Sequence, residues 1–197
     1  MNEHLWQADK GYYGQYLYGR TALTRSLKAE ALSEALSVLF GVAKGERAQQ
    51  VVARTPTTSY GISCFYPQIP GLPAYHDNAV WPFVQSFWPP PKSATKPRWW
   101  KAWPPFTGRR RCFSPIRKTS WRVTGDFAGT QINSSNMLWS LLGILSLMYK
   151  VLSGMQWQAE RLVFRPFVPQ AFRDQRRLSN FRYRWAVLDY LWVKKVE

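Results

Sequence analysis

The chain is short of cysteine, histidine and acid. Its two cysteines, Cys64 and Cys112, make no disulfide framework and match no metal-ligand spacing. His76 has no second histidine close enough in sequence to suggest a metal pair, and no cofactor is expected. Eleven Asp and Glu stand against 27 Lys and Arg, so any acid–base pair must come from a small set of carboxylates. Long apolar runs are missing as well. The longest, from Met137 to Tyr149, is interrupted by Ser140 and Ser146 and is too short to span a bilayer. The first ten residues are polar and mixed in charge, which excludes reading them as a secretory signal.

What is present is aromatic and apolar. An apolar content of 46% with 16% Phe, Trp and Tyr predicts a packed core rather than disorder. Eleven tryptophans and ten tyrosines suit either a large core or a surface on which sugars stack. The net charge of +16 would ordinarily point to nucleic acid or an anionic surface. Here it is local. Ten Lys or Arg and no Asp or Glu fall between Pro89 and Arg122, leaving +6 on the rest of the chain.

In chain order, LWQADKGYYGQYLYGR (5–20) alternates aromatics around Gly11, Gly14 and Gly19, predicting an aromatic loop or short hairpin. Residues 21–43 carry Leu23, Leu27, Ala31, Leu32, Ala35, Leu36, Leu39 and Phe40 at helical spacing, with Thr24 or Ser26 as cap. A second helix is expected from Glu46 to Arg54, ending before Pro56. Residues 55–74 read as a long loop rich in Pro, Gly and aromatics. In YHDNAVWPFVQSFW (75–88), Asp77 or Asn78 is a natural N-cap, Pro82 suits the first turn, and Val80, Phe83, Val84, Phe87 and Trp88 share one face. Pro89-Pro90-Pro91 then breaks the pattern. A further helix is expected over about 135–153, capped by Asn133, Ser134 or Ser135. Leu138, Leu141, Leu142, Leu145, Met148, Tyr149 and Leu152 would form its inner face, and Gly154 would end it. From Glu160 the period shifts towards two, predicting strands on either side of Pro166–Arg177.

Residues 89–122 obey no fold rule. One reading is a basic, aromatic arm for single-stranded nucleic acid, since cationic grooves with stacking rings bind such strands. A second comes from the genetic code. Trp99-Trp100-Lys101, read from the third base of each codon, forces Val-Glu after a hydrophobic codon; Trp103-Pro104 forces Ala. With permitted codons, 95–122 then reads NEAAVVESMAAIYRAAALFLTNKENFVA, an amphipathic helix, a turn and an entry to TGDFAGT. The prolines, the charge and the broken helix all follow from one frameshifted segment.

The flanks resemble six-hairpin glycoside hydrolases, specifically glycogen-debranching-like and processing-glucosidase-like bacterial members. The resemblance rests on GYYGQYLYGR, the AEALSEAL stretch, GISCFYPQIPGLPAYHDNAVWPFVQSFW, and GDFAGTQINSSNMLWSLLGILSLMYKVLSGM followed by FRPFVP. It covers all but 89–122 and the last few residues. It implies a mainly α fold: a partial (α/α)6 barrel of helical hairpins over 1–155, then the start of a β-sandwich over 156–197. It also implies a carbohydrate substrate rather than nucleic acid, a bacterial periplasmic or secreted setting, and a missing N-terminal part of the barrel.

Glycoside hydrolysis needs two carboxyl groups astride the scissile bond, and inverting enzymes, the usual outcome in such barrels, leave room for a water between them. Asp126, in the TGDFAGT loop, is the catalytic candidate here; the alternative reading is that it holds the turn. The family's base position falls at Lys118 in the printed frame, and the shifted frame restores Lys-Glu-Asn there. The acid would come from earlier loops, so the fragment is expected to be inactive. Tyr75, His76, Asp77, Asn78, Trp81, Gln131 and Trp139 are the sugar-contact candidates. Aromatic faces pack on sugar C–H groups, and amide and imidazole groups bond hydroxyls.

Overall fold

The computed structural model describes residues 1–58, 60–73, 75–88, 120–121, 137–167 and 176–192. It corrects the expected architecture. Helix and strand each take 29% of the described residues, and the strands pair into many small hairpin sheets. This is a mixed fold, not a mainly α barrel. The chain divides into two compact units, Met1–Met148 and Tyr149–Glu197.

In the first unit the glycine-punctuated aromatics form hairpins. β1 (Trp6–Gln7) pairs with β2 (Tyr12–Tyr13), and β3 (Leu17–Tyr18) with β4 (Thr24–Arg25), both antiparallel. The second pair is why the helix expected from 21 starts late. Thr24 and Arg25 give their backbone to β3, the Ser26 N–H donates to the Tyr16 carbonyl, and Leu23 and Leu27 stand exposed. After β5 (Ala29–Glu30), α1 runs over Ala31–Leu39. Its cap is Glu30, not Thr24 or Ser26: the carboxylate accepts the Leu32 N–H at 3.1 Å and the Ser33 N–H at 2.7 Å, and a negative charge is favoured at a helix N-terminus. α2 (Gly45–Arg54) completes a helical hairpin and ends before Pro56.

Residues 55–74 are more regular than their Pro and Gly content predicts. β6 (Thr57–Thr58) pairs with β7 (Gly61–Ile62), and β8 (Phe65–Tyr66) pairs with β5. β9 (Ala79–Val80) pairs with β10 (Ser120–Trp121), and Val80 also bridges Ser63. Because the backbone of 79–80 is committed to strands, α3 is a single turn over Pro82–Gln85 with extended Trp81 as its cap. Pro82 does occupy the first turn, but neither Asp77 nor Asn78 caps it.

α4 spans Leu138–Ser146 and continues as a π-helical turn over Leu147–Leu152. Its buried face is Ser140, Gly143, Ile144 and Leu147, whereas Leu138, Leu141, Leu142 and Leu145 are exposed. That is the reverse of the expected orientation, and close approach to α3 is the reason. A Cβ on Gly143 would sit 2.6 Å from the Ser86 hydroxyl oxygen, so only a small-residue face fits. The capping candidates Asn133, Ser134 and Ser135, and the segment 89–119, lie outside the described residues.

Among its described residues the second unit holds two hairpins. β11 (Met155–Trp157) pairs with β12 (Leu162–Phe164). β13 (Arg176–Tyr183) pairs with β14 (Ala186–Trp192), with a register shift between Leu178 and Phe181. Strands therefore do lie on both sides of Pro166–Arg177.

Candidate functional site

Tyr75–Trp81 forms a knot held by its own polar groups. The Tyr75 N–H donates to the Asp77 carbonyl at 3.0 Å, and the Trp81 indole N–H donates to the Tyr75 carbonyl at 2.7 Å. Buried Asp77 accepts the Ile69 N–H through Oδ2 at 2.9 Å and the Asn78 amide at 3.3 Å. The Asn78 amide also donates to the Leu72 carbonyl at 3.1 Å. Asn78 has φ +54°, a left-handed conformation that Asn tolerates better than most residues because its short side chain bonds locally.

These bonds present one ring outward. Exposed His76 lies nearly parallel to Trp81, with centroids 4.8 Å apart at 22°. It is stacked more loosely on Phe65, at 6.1 Å and 27°, and the Tyr75 ring meets its edge at 4.4 Å. Trp81 is itself 9% exposed, so it serves as the floor on which the imidazole rests. Phe65 arrives from β8, whose pairing with β5 fixes its position.

The structure thus brings together Tyr75, His76, Asp77, Asn78 and Trp81. Trp139 packs its ring towards Phe83, 6.3 Å away, and belongs to the α3–α4 contact. Asp126, Gln131 and Lys118 lie outside the described residues, as does all of the basic, aromatic segment 89–122 except Ser120 and Trp121. Asp77 is neither a helix cap nor a free carboxylate; it is a loop tie.

Sequence reasoning missed three residues. Phe65 gave no signal beyond its aromatic neighbours. Gln85 hid inside an apolar helical pattern. Glu34 did leave one: it sits on the same stripe as Ala31 and Ala35, where a charged residue is out of place. It is 1% exposed. Its Oε1 accepts the Tyr13 N–H at 2.8 Å, and its Oε2 has no partner among the described residues. Burial, opposed by the Tyr13 bond and reinforced by the Glu30 charge, pushes its carboxyl up to about 8. At this burial it ties α1 to β2.

Among the described residues no group of three His, Cys, Asp or Glu could hold a metal, and no helix is long and apolar enough to cross a membrane. Cys64 is a buried free thiol whose pKa is raised by burial and the Glu30 charge; Cys112 lies outside the described residues. Comparison with protein-family models, curated proteins and solved structures gives no match for this chain.

Proposed function

We propose that Tyr75–Trp81 with Phe65 is a carbohydrate-contacting element of a glycoside hydrolase, and that this chain binds sugar without cleaving it. The observation carrying the reading is His76, an exposed imidazole laid flat on a tryptophan and flanked by a tyrosine edge. Such a ring offers an apolar face to sugar C–H groups and two nitrogens to hydroxyls. The resemblance of GISCFYPQIPGLPAYHDNAVWPFVQSFW to glycoside hydrolases supports it. Hydrolysis needs a pair of accessible carboxyl groups. Among the described residues, Asp77 is tied down and Glu34 is sealed, so neither supplies one.

Titration of the chain with neutral oligosaccharides, followed by tryptophan fluorescence, tests the reading. Saturable quenching with no release of reducing sugar supports it. Absence of quenching, or salt-sensitive binding of DNA in its place, overturns it. The frameshift of 89–122 belongs to the same proposal, and the gene sequence decides it: an unshifted frame shared throughout 89–122 by related genes rules it out.

A further inference from the structure

The second unit carries a different surface. Tyr149, Phe181, Trp157 and Tyr183 form a row of rings, with successive centroids 6.2, 6.1 and 5.4 Å apart. The row ends at the turn between β13 and β14. There the Arg184 guanidinium lies 5.4 Å from the Tyr183 ring and 6.0 Å from the Trp185 ring. Trp185 is 89% exposed and Trp157 57%. A bare indole two residues from Tyr183, which itself packs on half-exposed Trp157, is more than the scattered apolar exposure of an ordinary surface.

Two further observations concern the same turn. Arg184 has φ +54°, a left-handed conformation that Gly or Asn would adopt at lower cost. The two-residue turn closed by the Tyr183–Ala186 pair demands such a conformation, and the guanidinium donates to the Ala159 carbonyl at 2.8 Å. That bond uses one of five N–H donors, and the guanidinium lies beside two rings. Residues 149–197 also hold ten Lys or Arg against four Asp or Glu, a net +6 within one small unit.

We propose that the Tyr183–Trp185 turn, with Trp157, is a binding surface for an acidic polysaccharide. The rings take the apolar faces of successive sugars, and Arg184 pairs with a sugar carboxylate, for which a planar guanidinium is the best-matched cation. Charge complementarity selects an anionic chain over a neutral one. Ring geometry selects a glycan over single-stranded nucleic acid. Stacked bases share one direction, whereas neighbouring rings here are inclined by 42°, 49° and 52°.

The test is affinity electrophoresis of the full chain carrying His76→Ala, which removes the first unit's proposed sugar contact, through gels containing polygalacturonate, amylose or oligo(dT). Retardation by polygalacturonate alone, or far more strongly than by the others, is the expected result. Trp185→Ala should weaken it by about tenfold without lowering thermal stability, because the indole is nearly bare. Arg184→Gly is the sharper variant: it suits the left-handed turn and so preserves the fold, yet it should abolish most of the retardation. Unchanged retardation in Arg184→Gly overturns the proposal. So does equal or stronger retardation by oligo(dT) or amylose, or none by polygalacturonate. Loss of polygalacturonate retardation on introducing His76→Ala likewise overturns the proposal, because it places the binding on the first unit.

Discussion

Gln85 pairs with both backbone groups of Ile62. Its Oε1 accepts the Ile62 N–H at 2.8 Å, and its Nε2 donates to the Ile62 carbonyl at 2.9 Å. The side chain thereby acts as a strand partner for β7, supplied from α3. Gly61 makes room for it: at φ +131°, a Cβ there would lie 2.8 Å from Gln85 Oε1.

Replacing Gln85 with Ala leaves two buried backbone groups without partners. Each such loss is expensive, so the unit should lose about 2–4 kcal/mol, read as a lower urea midpoint at unchanged slope. A midpoint within error of the parent would show that Ile62 finds another partner.

Glu34 makes stability pH-dependent. Its folded-state pKa is raised from 4.5 to about 8, so between those values the folded chain holds a proton that the unfolded chain releases. Stability therefore falls as pH rises through this window and levels off above it, by up to the order of 4 kcal/mol. Glu34→Gln cannot ionise and keeps an oxygen for the Tyr13 N–H, so its stability should vary much less from pH 4.5 to 8. Urea unfolding at a series of pH values checks this; parallel curves for the two proteins would contradict it.

Gly143→Ala tests the α3–α4 contact. The new methyl meets the Ser86 side chain at 2.6–2.8 Å, and Ser86 is held by its bond to the Phe83 carbonyl at 2.6 Å. The helices must separate, at about 1–3 kcal/mol. The double variant Gly143→Ala, Ser86→Gly should recover part of the loss in thermal melts.

His76→Ala should weaken oligosaccharide binding by about tenfold, the scale of one aromatic contact, with little change in melting temperature because the ring is exposed. Trp81→Phe should weaken binding and also lower the melting temperature: it removes the indole donor to Tyr75 and shrinks the floor beneath His76. Calorimetric titration and a thermal melt separate the two effects.

Local signals in the sequence were legible where a single rule decided the outcome. Glycine spacing placed the hairpin around Gly11, Pro56 marked the end of α2, and Pro82 occupied the first turn of α3, whereas the second strand of the β3–β4 pair falls where a helix was expected. The mainly α fold was not recoverable this way, because helical periodicity at Leu23, Leu27 and Val80 lost to strand partners brought from elsewhere in the chain. The site was half visible. YHDNAVWP stands out as polar and aromatic, but Phe65 enters through the β5–β8 pairing, which no local pattern reveals. Asp77 was read as a cap because its type permits one; the loop at Ile69, eight residues away, claims it instead.

The outward leucines of α4 matter for handling the protein. Leu138, Leu141, Leu142 and Leu145 line one side of a helix whose small residues face inward. Sulfate and phosphate are excluded from protein surfaces and strengthen any force that hides apolar area. The identity of the buffer anion will therefore govern how long this chain stays in solution, with chloride the gentler choice.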